Sequence, residues 1–458
     1  MRNVFKGLML TAVAAFPGAV RAESLTDALI SAYRNSHLLE QNQAVLRAAD
    51  EDVATAVGTL LPVINFVTKL NYSHNEFTFT NANTDVTNGT FALQASLVVF
   101  DFGRGKTSIA IKNELVLASQ ASLVNIEQQV MLDAVSAYVN QKLQTELVAA
   151  QESNVRLIGQ DLKATKDKFD VGEVTKTDVA QAEAQLASAN AALATAQGNV
   201  NVARERYNAA IGHYPGSLSG LPNAPISVKT VADARAVALR GHPAVLQSQH
   251  QAKAADLGVE LAKLQMQPKI DATSSLTESF DKNGLGTANG SVGLELDQTI
   301  YAGGRLSSGF RQAIAQQQGS HAALLQTAVN VTESVGKSWS NILVARASIT
   351  ANSEQIRAAQ AAYDGVKQEA ELGSRTTLDV LNADQTLLSA KASSLQAQAN
   401  LYVSQYSLLS SMGLLTADRL HLGIPTFDPQ AYYNAVKNAP ATSSRGAKLD
   451  HILKTLGK

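Results

Sequence analysis

Two aspartates that follow tight turns are the first residues of this 458-residue chain whose type and spacing suggest chemistry. Asp178 and Asp379 lie at matching places in two related stretches, each shortly after a glycine. A carboxylate at the N-cap of a helix is stabilised by the positive end of the helix dipole, so a role as simple N-cap residues explains both aspartates. A carboxylate that acts on an ion or a ligand is the alternative, and the fold around the two turns must decide between them.

No other residues have the spacing of a catalytic or metal site. The eight histidines are scattered along the chain without the spacing of metal ligands. Gly284-x-Gly286 lies in a turn between two predicted strands, which is the wrong place for a nucleotide-binding loop. No serine nucleophile elbow or paired-carboxylate motif occurs. We therefore expect a protein that is not an enzyme and that uses no cofactor.

The composition favours long, closely packed helices over a large globular core. Alanine, glutamine, serine and leucine are abundant, and aromatic residues make up only 5% of the chain. The chain has no cysteine, which excludes disulfides, thiolate metal sites and attachment of a lipid through cysteine. With 38 basic and 39 acidic residues, the formal net charge is −1, which gives no electrostatic reason to expect a nucleic-acid partner.

Residues 1–22 have the pattern of a secretory signal peptide. Arg2 and Lys6 form a basic region, Gly7–Phe16 is apolar, and Val20–Ala22 has the small residues of a cleavage site. Since the apolar run is well short of the ~20 residues of a membrane span, a transmembrane anchor is the weaker reading. No later window reaches that length without charges, so any contact with a membrane has to be made by strands.

The chain is internally duplicated. Phe169–Ala189 aligns with Ala370–Ala390 at a shift of 201 residues, and Leu25–Pro62 aligns with Val231–Pro268 at a shift of 206. A unit of about two hundred residues is too long for a solenoid repeat, so we expect one architecture built twice. The predicted boundaries are a first repeat at 23–212 with a turn at 170–176, a linker at 213–229, a second repeat at 230–415 with a turn at 372–376, and a tail at 416–458.

Each repeat contains two stretches in which apolar and polar residues alternate, which predicts β-hairpins at 63–101 and 269–302. We expect a polar loop at about 74–89 in the first hairpin and a turn at 281–289 in the second. Strands of about ten residues with one apolar face are typical of a transmembrane β-barrel, although a soluble amphipathic sheet explains either hairpin taken alone. Four strands cannot close a barrel that needs about eight, so several chains must contribute strands.

Helices are predicted on both sides of each hairpin. One helix is expected over 24–61, ended by Pro62, and proline-free helices run from Arg104 to about 169 and from Arg305 to about 372. At 1.5 Å per residue, ~65 residues form a rod of roughly 100 Å. Apolar residues then recur every seven positions along the returning helices, which predicts left-handed supercoiling. Arg104 and Arg305 are expected to anchor the junction between strands and helices, and the tail is expected to be irregular.

Four motifs make the chain resemble the TolC family of outer-membrane channel-tunnels, which serve multidrug efflux and type I secretion. They are FDFGRG at 100–105, YAGGR at 301–305, FDVGEVTKTDVAQAEAQ at 169–185 and ELGSRTTLDVLNADQTLLSAK at 371–391. The resemblance extends over nearly the whole chain after residue 22, to about residue 415. Because the chain has no cysteine, it is similar to the non-lipidated branch of the family.

The resemblance implies a mixed α/β membrane protein that is a homotrimer. Four strands per protomer would form a twelve-stranded barrel, continuous with a long periplasmic α-helical barrel. The protein would lie in the outer membrane, with most of the chain in the periplasm. It would pass drugs, other small molecules or a type I secreted protein from an inner-membrane pump, of the ABC or RND type, and a periplasmic adaptor. A periplasmic coiled-coil scaffold or adaptor without a pore is the alternative.

The resemblance also places a gate at the two turns. The gate aspartate of the family aligns with Asp178, and its arginine partner aligns with Arg375. The gate tyrosine of the family aligns with Ala370, so one hydrogen bond of the expected closed state is missing. The glycines Gly172 and Gly373 align with the tips that an adaptor contacts.

The pore-lining acidic ring of the family aligns with Asp379, and a second acidic position is occupied here by Asn382. Three Asp379 side chains around a narrow opening would concentrate cations and repel anions. Their mutual repulsion would raise their pKa and would attract divalent cations, which would block the opening. Apart from such a block, no metal site is expected.

Overall fold

The computed structural model describes residues 22–77, 82–222, 224–281 and 283–438. Of the predicted signal peptide, residues 1–21 lie outside this part of the chain, as do residues 439–458 of the predicted tail. The described helices and strands are α1 (Leu25–Asn35), α2 (His37–Gly58), β1 (Val63–Phe77), β2 (Ala82–Phe100), α3 (Arg104–Asp170), α4 (Lys176–Ile211), α5 (Val231–Gly241), α6 (Pro243–Leu264), β3 (Lys269–Asp281), β4 (Gly286–Asp297), α7 (Arg305–Glu371), α8 (Thr377–Ser411) and α9 (Pro429–Val436).

The predicted long helices are confirmed. Both α3 and α7 contain 67 residues, so each is a rod of about 100 Å. A glycine with a left-handed backbone precedes each of them, with φ of 95° at Gly103 and 82° at Gly304. The returning helices α4 and α8 pack against α3 and α7, respectively, along a shared length. In α4 the alanines of one heptad line are buried at Ala182, Ala189 and Ala203, as expected for a closely packed seam.

The single helix predicted over 24–61 is wrong, because the chain breaks at Ser36. This residue has an extended backbone, and its hydroxyl accepts a hydrogen bond from the Leu39 amide at 3.2 Å, which caps α2. The second repeat breaks at the equivalent residue, His242, whose Nδ1 accepts a hydrogen bond from the Ala244 amide at 3.1 Å. The break is therefore a property of the repeat, and the sequence shows it through the capping side chain and, in the second repeat, through Pro243, which follows His242.

The four strands form one antiparallel sheet in the order β1-β2-β3-β4, so that β2 and β3 join the two repeats. The polar loop predicted at 74–89 is wrong: β1 and β2 stay paired as far as Phe77 and Ala82, and His74 lies opposite Asp85. Gly89 is a strand residue, and a Cβ there would overlap the Phe280 ring on β3. Likewise, the second turn is shorter than predicted, because β3 continues to Asp281 and β4 begins at Gly286.

One face of the sheet is apolar, and no described part of the chain covers it. Leu70 on β1 is 77% exposed and Val292 on β4 is 87% exposed, and their strand neighbours on the same face are exposed as well. The strands β1 and β4 are the two edges of the sheet. Among the described helices, none combines the length and the apolar character that a membrane span requires.

The main core lies where the middle of both long helices meets the short helices and the linker. It combines α1, α3, α5, α7 and the ends of α4 and α8. The linker follows Gly212, and its residues Leu218 and Ile226 pack against this core. The Tyr138 hydroxyl donates to the backbone carbonyl of Glu23 at 2.8 Å, and Glu23 also pairs with the linker through its backbone. The linker thus belongs to the waist of the helical part.

Two further predictions about the ends of elements have different outcomes. Arg104 anchors the junction as expected, because its Nε donates to the Leu264 carbonyl at 3.0 Å and its Nη2 to the Gln267 carbonyl. The equivalent Arg305 is exposed. The tail is not irregular throughout: α9 begins after Asp428 and packs on α2.

The two repeats differ at a pair of equivalent carboxylates, Asp256 and Asp50, of which only Asp256 has hydrogen-bond partners among the described residues. Asp256 on α6 accepts hydrogen bonds from Gln317 and His321 on α7, both at 2.8 Å. The equivalent residue of the first repeat is Asp50 on α2, which is 1% exposed and has no partner for either oxygen among the described residues. The residue that replaces Gln317 is the apolar Val116, which lies in the adjacent core cluster. Burial raises the pKa of Asp50 to about 6, with a smaller contribution from the Glu51 charge.

We expect Asp50→Asn to stabilise the protein at neutral pH by up to about 3 kcal/mol, because a neutral side chain avoids burying a charge. The pKa of Asp50 is raised from 3.8 to about 6 in the fold. The ionised carboxylate therefore destabilises the fold fully above about pH 6, and the penalty disappears below about pH 4. Thermal unfolding of the purified protein, followed by circular dichroism at several pH values, measures the effect.

Asp256→Asn is the matched control, because it alters the equivalent carboxylate where partners are present. It should lower the melting temperature at neutral pH. A melting temperature lowered by Asp50→Asn at neutral pH would contradict the assignment of Asp50 as an unpartnered buried charge.

Candidate functional site

The two predicted turns lie side by side at the ends of the long helices that are remote from the sheet. One connects α3 to α4 and the other connects α7 to α8. Together they line a cavity of about 630 Å³, to which Asp178 and Arg375 both contribute. The structure therefore brings residues from both repeats to one place, although the two stretches are 201 residues apart in sequence.

Each turn requires its glycine. Gly172 has φ of 82° and Gly373 has φ of 77°, in the left-handed region that glycine adopts at little cost. The amides of the two following residues, Glu173 and Ser374, donate to carbonyls of the preceding helices at 2.9 Å, which closes the helix ends. Both glycines are exposed, and an added Cβ would lie more than 4 Å from its surroundings in the part of the chain that the structure describes. The tips of the turns are therefore open to a partner.

Asp178 and Asp379 are the third residues of their helices and complete capping boxes. The Asp178 carboxylate accepts hydrogen bonds from the Thr175 amide and hydroxyl, both at 2.8 Å. The Asp379 carboxylate accepts the same bonds from Thr376, at 3.0 and 2.9 Å. The interpretation of the aspartates as N-cap residues is therefore wrong in position, because threonine is the N-cap residue of both helices and each aspartate completes the capping box from the third helical position.

These bonds fix the charge state of both aspartates within one protomer. Hydrogen bonds from Thr175 lower the pKa of Asp178, and those from Thr376 lower the pKa of Asp379. The Arg375 charge lowers the pKa of Asp379 further. The upward pKa shift expected from repulsion between copies is an effect between protomers, and it would act against these bonds.

Arg375 is held by its own turn. Its Nε donates to the Glu369 carboxylate at 2.8 Å, and Glu369 and Asp379 are the acids whose charges raise the pKa of the guanidinium. Among the described residues, no hydrogen bond joins Arg375 to Asp178. Ala370 packs against the small apolar cluster that contains Tyr363 and Val380, and Asn382 is exposed.

Two carboxylates that lie behind the turns were not predicted from the sequence. Asp161 on α3 lines the same cavity, and Asp384 on α8 is 7% exposed. Their charges interact, although each belongs to a different repeat. The available signal was the alignment of the repeats, which places Asp384 opposite Glu183, but nothing in it shows that α8 packs against α3.

The family model described as "Outer membrane efflux protein" matches residues 29–213 and 235–414, one segment in each repeat. The outer membrane efflux protein BepC of Brucella suis biovar 1 (strain 1330) is 33% identical over 438 residues, which cover 95% of this chain and 94% of BepC. The outer membrane protein TolC of Escherichia coli (strain K12) is 24% identical over 470 residues, covering 98% of this chain and 94% of TolC.

The fold is also that of solved outer-membrane channels. The crystal structure of the Campylobacter jejuni CmeC outer membrane channel superposes with a TM-score of 0.75. It is 15% identical in sequence, and the match covers 91% of this chain and 89% of CmeC. This likeness concerns the arrangement of helices and strands.

The comparisons confirm the predicted resemblance, the channel-tunnel fold and the location in the outer membrane. The protein is an export channel that works as a homotrimer with a periplasmic adaptor and an inner-membrane pump, and a scaffold or adaptor without a pore is excluded. The family is one of transport channels. From the match to both repeats and the identity with BepC, the chain belongs to the outer membrane efflux protein family.

Proposed function

We propose that the periplasmic entrance of this channel is closed at the two turns and that Asp178, Arg375 and Asp379 control it. The observation that carries the proposal is the shared cavity, which both repeats line with charged groups at the end of the rods remote from the sheet. Around a threefold axis, three such clusters would face one another. Charged groups so arranged set both the width and the ion selectivity of an opening.

In this proposal Asp379 forms an acidic ring. The capping box supports that role, because Thr376 holds the carboxylate in place and ionised, so three copies present fixed negative charges. Asn382 lies about one turn further along α8 and adds no charge, so the ring is single. A single ring of carboxylates favours cations and offers oxygen ligands to a divalent cation.

Arg375 is proposed as the residue that holds the entrance closed. Its side chain is half-exposed and is paired with Glu369, and it shares a cavity with Asp178. A guanidinium has five donors, so it can keep Glu369 and also reach a second carboxylate. In the closed trimer we assign Asp178 as that second carboxylate. Because Ala370 cannot donate a side-chain hydrogen bond, this ion pair would hold most of the closed state.

We further propose that the cargo consists of small molecules and that the channel has no catalytic activity. The efflux protein BepC is 33% identical, which favours efflux over secretion of a protein. The exposed tips at Gly172 and Gly373 are the proposed contacts of the adaptor, since none of the described residues covers them.

Conductance in a planar bilayer tests the ring. The wild type should open in small, cation-selective steps that divalent cations block, and Asp379→Asn should reduce the selectivity and the block several-fold, because the fixed charge is lost. Asp27→Asn is the matched control, since Asp27 completes the same capping box with Ser24 on α1, far from the turns. Equal loss of selectivity in both variants would contradict the ring.

The proposed role of Arg375 is tested by Arg375→Ser in the same bilayers. Removal of the guanidinium should increase the conductance, because the closed state loses its ion pair. Arg357→Ser is the matched control: Arg357 is also exposed on α7 and bonded to one carboxylate, Glu354, at 2.9 Å. If Arg375→Ser left the conductance unchanged, Arg375 would be excluded as the residue that holds the entrance closed.

The adaptor contact is tested by Gly373→Ala. A Cβ at a left-handed residue costs roughly 1 kcal/mol and reshapes the tip. We expect weaker binding of the trimer to its purified adaptor and greater drug susceptibility of the cell. Gly284→Ala is the matched control, because Gly284 has φ of 76° and open space around it, but lies in the turn between β3 and β4. Wild-type adaptor binding by Gly373→Ala would remove this tip from the interface.

A further inference from the structure

Asp161 and Asp384 are two poorly solvated carboxyl groups on packed helices from different repeats. Asp384 on α8 is buried, with 7% of its surface exposed. Asp161 lies on α3, and its Oδ2 is buried without a partner. The neighbouring residues Leu157 and Ile158 of α3 cluster with Val380, Leu381 and Leu387 of α8, so both aspartates lie at the same contact between these helices. Two carboxyl groups placed there are unfavourable when both are ionised, because each loses hydration and gains a like charge.

The first repeat has an ion pair at the position that corresponds to Asp384 in the second repeat. Its equivalent of Asp384 is Glu183 on α4, which forms an ion pair of 2.7 Å with Lys166 on α3. This pair is half-exposed on both sides. The equivalent of Lys166 is Lys367 on α7, whose charge acts on Asp161 instead of forming a salt bridge with Asp384. The exposed ion pair of one repeat is therefore replaced in the other by a buried carboxyl that faces the neighbouring repeat.

The groups around Asp161 and Asp384 offset little of the unfavourable burial of these two carboxyls. From α7, Tyr363 is buried beside both carboxyls, Asp364 adds another negative charge near it, and Lys367 is exposed. From α8, Lys391 acts on Asp384 through space. Burial is the largest influence on each carboxyl and raises the pKa of both Asp161 and Asp384; the Asp161 charge raises that of Asp384 further.

The contact between α3 and α8 gives these two groups a role. It is the principal contact between the long helical hairpin of the first repeat and that of the second. An entrance that opens by moving one hairpin away from the other must break it. The carboxyls then gain water, and their ionised forms no longer carry a penalty.

We propose that Asp161 and Asp384 form a proton-operated latch that holds α8 against α3 when protonated and releases it when both carboxyls ionise. The proposal rests on the proposed entrance at the two turns. Because the packed state has the raised pKa values, it binds more protons than the separated state. Acidic pH therefore favours the packed state, and this preference is lost as the pH rises through the raised pKa values.

The separation of α3 and α8 tests the latch without reference to conductance. The chain has no cysteine, so single cysteines at the exposed Lys163 and Gln385 accept spin labels. We expect the distance between the labels in the full trimer to increase between about pH 4 and about pH 8, starting above the range of an ordinary aspartate. Asp384→Asn should keep the short distance at every pH, and Asp161→Asn should do the same.

Glu183→Gln is the matched control, because it alters the equivalent residue in an exposed pair; it should keep the wild-type pH response. A wild-type distance that ignores pH, or a response that survives both Asp384→Asn and Asp161→Asn, overturns the latch. Conductance recorded over the same range separates the two proposals. A distance that changes while the conductance stays constant supports the latch and contradicts the entrance at the turns.

Discussion

The structure of one chain depends on a sheet that the chain cannot complete. The strands β1 and β4 leave two open edges, and the outer face carries exposed apolar side chains such as Leu70 and Val292. Open edges and an apolar face are stable only when other strands and an apolar solvent cover them. A homotrimer satisfies both needs, since twelve strands are enough to close a barrel. The long helices that leave this sheet are thereby placed around one axis.

The duplication supplies the rest of the design, and its differences are more informative than its similarities. Both repeats have the same break, the same long helix and the same capping box at the turn. They differ where one carboxylate has kept its partners and the other has not, as at Asp256 and Asp50 or at Glu183 and Asp384. Such positions lower stability in the packed state, and selection retains them most readily where function needs two states.

The sequence predicted those features that depend on local pattern. The absence of proline predicted the length of α3 and α7, and the seven-residue spacing predicted the buried alanines of α4. It failed where the partner is distant in sequence: the chain at 82–89 has the composition of a loop, yet it is a strand because β1 pairs with it throughout and β3 pairs with it from Asn88 onward. The same reason hid Asp161 and Asp384, since only the packing of α3 on α8 brings them together. Arg375 was placed in the correct turn, but its partner within the protomer, Glu369, was not predicted.

The equal length of α3 and α7 sets how far the channel extends below the membrane. Both helices begin next to the same sheet and contain 67 residues, so their tips reach the same depth below the membrane. A seven-residue insertion would displace a tip by about 10 Å. If it occurred in α3 alone, the two turns would no longer be level and the shared cavity would be lost. Changes in the reach of such a channel must therefore occur as matched insertions in α3, α4, α7 and α8. Because the two repeats are related, comparing their lengths in related channels would reveal such matched insertions.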